Sequence, residues 1–241
     1  MKEYFFPLRE RREIAKETMA FWFDIRGADF AFKAGQYADF ELLSPAYTDA
    51  EGDIRTFSIA SSPNEKETIM IATRMRNTAF KNNIKELPLG SRFRVKGPLG
   101  SFTLHNDAQK PAIFLAGGIG ITPMRSIVAW ATEERLPPHL YLLYSNPTPE
   151  ATAFLDDFER FAVSNTRFMF MPTVTDSDDA SWRYERGRIG GEMIRKYVPD
   201  VVGSIYYVAG PPAMVEAMRE VLDGLGVDSD NVKSEEFGGY G

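Results

Sequence analysis

Between Phe21 and about Leu104 the chain is a succession of short runs rich in aromatic and β-branched residues: AFWFDI, AGQYADFELL, RTFSIA, TIMIATRM and RFRVKGPLGSFTL. Gly, Pro, Asn and Asp separate them, and this spacing predicts an antiparallel barrel or sandwich. After HNDAQK (105–110) the period changes. Fully apolar runs, AIFLA (112–116), LYLLYS (140–145), RFMFMPTVT (167–175) and IYYVA (205–209), now alternate with helical segments. Such runs are expected of parallel strands covered on both faces. Thr122 with Pro123, Thr148 with Pro149, and Pro211 with Pro212 predict helix starts. In the last helix Met214, Met218, Val221, Leu222 and Leu225 fall on one face. Two domains are expected, a β-barrel over 1–106 and an α/β domain with a doubly wound parallel sheet over 107–241.

Three stretches carry candidate chemistry. FLAGGIGITPM (114–124) drops its side chains where a buried strand ends and a helix begins. Gly117, Gly118 and Gly120 would let a pyrophosphate or a nicotinamide approach backbone N–H groups there. A tight turn with one glycine at positive φ is the alternative. In RTFSIASSP (55–63), strand alternation puts Arg55, Phe57 and Ile59 on one face, a cation two residues from an aromatic ring. Either a planar ring with a phosphate tail lies there, or the stretch is a barrel strand with an exposed arginine. YYVAGPPAM (206–214) is a second buried strand ending in glycine and proline, so the ends after Ala116 and Ala209 can flank one crevice.

In order along the chain, FKAGQYADFEL (32–42), RTFS (55–58), KGPLGSF (96–102), GGIGITP (117–123) and AGPPAM (209–214) resemble the motifs of the ferredoxin–NADP reductase superfamily of flavoproteins. The resemblance implies a Greek-key FAD-binding barrel followed by a nucleotide-binding domain. It implies that Arg55 pairs with the FAD pyrophosphate, Phe57 packs on the isoalloxazine and Ser58 bonds its N5 edge, with Thr56 in the same motif. Ala72, Thr73 and Arg74 would run beside the ribityl and ribose, and Thr78, Ala79 and Phe80 would serve the pyrophosphate. Gly118, Gly120, Ile121 and Thr122 would receive the nicotinamide nucleotide, with Ser145 and Asp176 on the second and third strand ends. Ala209, Gly210, Pro211 and Pro212 would border the nicotinamide, and Ser58, Thr122 and Ala209 are the residues expected beside the reacting atoms. Phe237 and Tyr240, in the tail EEFGGYG, would approach the flavin. Two positions depart from the family pattern: Phe57 stands where tyrosine is usual, and Ala209 where cysteine is usual.

The implied activity is FAD-dependent transfer of a hydride from NADH or NADPH, NADH slightly preferred, with electrons passed to a separate acceptor such as ferredoxin, flavodoxin or an oxygenase component. A flavin reductase using free flavin, or a flavin-holding subunit without catalysis, are the alternatives. Composition limits the rest. With no cysteine among 241 residues and only two histidines, His105 and His139, no disulfide, thiolate-held cluster or metal site is expected. A net charge of -6 offers no general attraction to nucleic acid, so an anionic ligand needs a local site. The N-terminus turns charged after Tyr4, Phe5 and Phe6, and no run approaches the ~20 apolar residues of a membrane span. A cytoplasmic protein is expected.

Overall fold

The computed structural model describes residues 2–238. Six strands build the first sheet: β1 (Glu3–Ala15), β2 (Thr18–Asp24), β3 (Tyr37–Leu42), β4 (Ile54–Ser58), β5 (Thr68–Arg74) and β6 (Arg92–Leu99), with helix α1 (Ala79–Glu86) before the last. Every pairing is antiparallel, in the order β4-β3-β6-β1-β2-β5. The sheet curls until its ends approach, where the Ala60 N–H donates to the Met70 carbonyl at 2.7 Å. Alternate residues turn inward, and Phe23 meets Phe40 and Phe93 with ring centroids 5.0 and 5.1 Å apart. The central strand β1 was not expected from the sequence. Its outer half reads RERRE and only Phe6 and Leu8 are buried, so no alternating apolar signal marks it.

The second sheet comprises β7 (Ala112–Gly117), β8 (Leu140–Asn146), β9 (Phe168–Val174), β10 (Glu185–Arg186), β11 (Ile205–Gly210) and β12 (Val232–Glu236). All pairings are parallel, in the order β10-β9-β8-β7-β11-β12. Helices α2 (Ile121–Glu133), α3 (Leu155–Ser164), α4 (Gly191–Tyr197) and α5 (Pro212–Gly224) complete the layers. One face of the sheet, with Ile113, Leu115, Leu143, Tyr206 and Val208, packs on Val215, Met218 and Leu222 of α5. The opposite face, with Phe114, Leu142, Tyr144 and Tyr207, shares a core with α2 and with Ala20, Ala34, Ala60, Met70, Ala72 and Phe102 from the first half of the chain. Strand order reverses between β7 and β11, and their carboxyl ends form the switch point at which ligands bind in such sheets.

Two helix starts differ from expectation. Helix α2 opens at Ile121 with no side-chain cap, and the Thr122 hydroxyl instead donates to the Ile119 carbonyl at 3.0 Å. Thr148 and Pro149 start only one 3-10 turn, Pro149–Ala151; α3 follows at Leu155, after Phe154 at φ 61°. Among the described residues no helix is long and apolar enough to cross a membrane.

Candidate cofactor cleft

A cleft of about 510 Å³ opens between the barrel and the switch point. Barrel residues Tyr37, Arg55, Phe57, Ser58, Ala72 and Thr78 line one side, and Ile119, Thr122, Glu235 and Phe237 the other. The expected alternation on β4 is present: Arg55 and Phe57 both reach Phe80, the guanidinium 5.5 Å and the Phe57 ring 5.7 Å from its centroid. Phe57 is buried in the barrel core yet lines the cleft, and Thr56 is exposed at its rim with its hydroxyl donating to Asp39 Oδ1. Ser58 is buried at the cleft wall.

One corner is built for anions. Thr78 caps α1, its hydroxyl oxygen accepting from the Lys81 N–H at 3.4 Å, and the first-turn N–H groups point outward with the positive end of the helix dipole. Arg55, Arg76 and Lys81 surround this end. Lys81 is buried, its ammonium donating to the Arg74 carbonyl at 2.8 Å; burial, reinforced by Arg76 and Arg55, pushes it down to about 8. Sequence reasoning missed Lys81, because a lysine one turn into a short helix reads as solvated surface. Three cations at a helix N-terminus beside an aromatic wall suit a phosphorylated flavin.

Ala79 and Phe80 lie at the start of α1, Ala79 at its open end and Phe80 in the core. Ala72 borders the cleft and Thr73 is buried in β5. Arg74 instead joins Gly118, Ile119 and Asn146 around a separate cavity of about 30 Å³, beside the loop between β7 and α2 rather than the cleft.

The two expected glycines of that loop have different reasons. A Cβ on Gly120 would sit 2.3 Å from the Ala209 carbonyl oxygen, so this glycine lets β11 press against the loop. Gly118 has φ +51° and open space where a Cβ would be. Ile121 is fully buried, and Thr122 turns toward the cleft from the first turn of α2. Ser145 pairs in register with Gly117 at the end of β8, and Asp176 is exposed after β9, its N–H donating to the Pro147 carbonyl at 2.8 Å. Gly210 ends β11, and Pro211 and Pro212 open α5 outside the cleft wall.

Ala209 is fully buried and is not on the cleft wall. Phe237 packs against the cluster that contains it and Ile119, its backbone N–H donating to the Gly210 carbonyl at 2.9 Å. Tyr240 lies outside the described residues. Glu235, paired in register with Ala209 across β11 and β12, was not foreseen. Its carboxyl turns into the cleft, where burial pushes it up to about 7. The polar run VKSEE gives no strand signal; the resemblance brought the tail EEFGGYG toward the flavin through Phe237 and Tyr240 but did not single out Glu235.

A curled antiparallel barrel with a cationic corner, facing the switch point of a parallel sheet, is the architecture of a flavin and nicotinamide dinucleotide oxidoreductase. The comparisons make this specific. Residues 5–104 match the oxidoreductase FAD-binding domain, and residues 114–220 the oxidoreductase NAD-binding domain. The chain belongs to the ferredoxin–NADP reductase superfamily of FAD-dependent, NAD(P)H-utilising reductases.

Ferredoxin–NADP reductase B of Sorangium cellulosum is 29% identical, over 88% of this chain and 87% of that protein. The glycine betaine monooxygenase reductase subunit of Chromohalobacter salexigens is 28% identical over 87% of this chain, which spans only 57% of that relative. Among solved structures, the cytochrome P450 reductase GcoB of Amycolatopsis superposes with a TM-score of 0.85 at 24% identity, covering 98% of this chain and 70% of that one. A ferredoxin NADP+ reductase from Neisseria gonorrhoeae with bound FAD and NADP gives 0.81 at 17% identity, covering 98% and 99%.

Proposed function

We propose that this chain takes a hydride from NADH in preference to NADPH and delivers electrons to a separate acceptor protein: ferredoxin, flavodoxin or an oxygenase component. The observation that carries the reading is a cleft walled by both domains at the switch point, with Phe57 and Ser58 opposite Ile119, Thr122 and Glu235. FAD bound there supplies acceptance of two electrons as hydride and their release one at a time. The chain's own residues bind and orient. Arg55, Arg76, Lys81 and the α1 terminus would hold the phosphates, Phe57 and Tyr37 bound the ring pocket, and Ser58 offers a hydroxyl at its wall. Gly118 opens the loop to the dinucleotide, and Phe237 shields the buried end of β11 from water. At neutral pH the Glu235 carboxyl both holds and releases a proton inside the cleft. The fixed phosphate corner favours a resident FAD over a flavin that comes and goes as substrate. The relatives named as a monooxygenase reductase subunit and as a ferredoxin–NADP reductase support acceptors of those two kinds.

The coenzyme preference rests on where the nearby cations point. Arg183 pairs with Glu159 at 2.8 Å, and the Arg186 guanidinium is taken up by the Ser177 and Asp179 carbonyls. Asp176 stands exposed after β9, next to Ser177. A 2′-phosphate there would meet a carboxylate with Arg183 and Arg186 both engaged, so that only recruitment of the exposed Arg188 would reverse the preference. Anaerobic stopped-flow reduction tests both halves: kcat/KM is expected to favour NADH by roughly ten-fold, equivalent to about 1.4 kcal/mol. A higher value with NADPH overturns the preference; no reduction by either nucleotide overturns the reductase reading.

A further inference from the structure

The residue best placed to hold the cofactor phosphates is itself held by an acidic loop. Between β3 and β4 the chain runs SPAYTDAEGD (44–53). One terminal nitrogen of Arg55, Nη1, donates to the carbonyls of Glu51, Gly52 and Ile54 at 3.0, 2.9 and 2.7 Å. The other, Nη2, donates to the Glu51 carboxylate at 2.6 Å, with Asp49 Oδ1 at 3.7 Å. Both prongs of the guanidinium fork are therefore turned to the loop. Asp49 also reaches the helix terminus, its Oδ2 accepting from the Ala79 N–H at 2.9 Å. One carboxylate thus spans the arginine and the α1 N–H, the two kinds of donor that a phosphate oxygen would use. The loop is anchored on the outer side of α1, where the Asn83 amide bonds the backbone of Ala46 and Tyr47.

We propose that this loop is an autoinhibitory latch on the FAD phosphate site, with Asp49 and Glu51 standing in for the pyrophosphate. The inference rests on the flavin reading above. FAD cannot take bidentate hold of Arg55 or the α1 terminus while the two carboxylates keep them, so cofactor entry requires the Asp49–Gly52 tip to swing out. The Asn83 anchor stays in place as a hinge at Ala46 and Tyr47. The charged rim then serves two ends: it keeps three clustered cations compatible with one another before FAD binds, and it makes cofactor loading and loss depend on the motion of the loop.

The test uses the full-length chain stripped of flavin, titrated with FAD and, as a phosphate-free probe, with riboflavin. The Asp49→Asn/Glu51→Gln double variant keeps the size of both side chains and removes their charge. It is expected to bind FAD roughly three- to ten-fold tighter, the range for losing two partly exposed ion pairs as competitors, with riboflavin affinity unchanged. A second measurement needs no variant: on the wild-type chain, FAD should speed protease cleavage within residues 44–53, and riboflavin should not. Equal or weaker FAD binding by the variant, an equal gain for riboflavin, or FAD protection of the loop overturns the latch. A wild-type chain that binds no flavin overturns the flavin reading itself, which separates the two failures.

Discussion

Replacing Glu235 by glutamine should change how the stability of the protein depends on pH. The carboxyl lies on β12, in register with Ala209, and burial in the cleft lifts it from its ordinary 4.5 to about 7. The folded chain therefore holds a proton between these values that the unfolded chain has released. Stability drawn from this proton is fully present below about 4.5, declines as pH rises and is gone above about 7. The limiting slope is about 1.4 kcal/mol per pH unit, which sets a ceiling of about 3 kcal/mol over the interval; the part of the carboxyl that still meets water lowers it. Glutamine keeps the shape and never ionises. Urea midpoints of the two proteins should nearly coincide at pH 4.5 and diverge by pH 8, the variant being the more stable at high pH, with unchanged m-values. All other titrating groups, including the desolvated Glu65, are common to both proteins and cancel in the difference. A stability difference that stays constant from pH 4.5 to 8 would refute the placement of a desolvated carboxyl at this position.

Arg55→Ala should lower FAD affinity roughly ten- to a hundred-fold, since a charge-assisted contact contributes ~1.5 to 3 kcal/mol; fluorescence titration that shows wild-type affinity would remove Arg55 from the phosphate site. The two loop glycines should respond differently to alanine. Gly120→Ala drives a methyl into the Ala209 carbonyl and should cost about 3 kcal/mol or more, visible as a lower urea midpoint. Gly118→Ala meets open space and should cost only ~1 to 2 kcal/mol for its positive φ; equal losses at both positions would mean that the press of β11 on the loop is not what Gly120 accommodates.

What could be read from the sequence is what burial writes into it. The strands β7, β8 and β11 are covered on both faces, and β9 is so except at its start, where Met169 is exposed, so all four appear as apolar runs and were located within a residue or two. Their glycine-marked ends gave the switch point. The polar strands β1 and β12 were not legible, because a ladder of backbone hydrogen bonds leaves no mark on side-chain polarity. That omission hid Glu235, which only the pairing of β12 with β11 brings to the cleft. Lys81 escaped for a related reason: one buried lysine is indistinguishable in sequence from the solvated lysines around it. The motif RTFS gave the face shared by Arg55 and Phe57, but not that the arginine is spoken for by Asp49 and Glu51, since that depends on a loop folding back over ten residues. The glycines of GGIGITP suggested close approach of a ligand, yet at Gly120 the close approach is made by the chain's own backbone.

The apolar core that runs without a break from the barrel alanines Ala20, Ala34, Ala60 and Ala72 to Phe114, Ile127 and Tyr207 limits how this molecule can move. Opening the two halves like a jaw would strip water-avoiding surface from both, and small alanines on the barrel side let the halves sit too close for large side chains to slide past one another. Admission of a dinucleotide must then come from short segments at the rim, with the bulk of the protein as a rigid frame. In such a frame the distance from donor to acceptor would be set by packing, and the loop near Asp49 would gate the entry and loss of FAD without altering that distance.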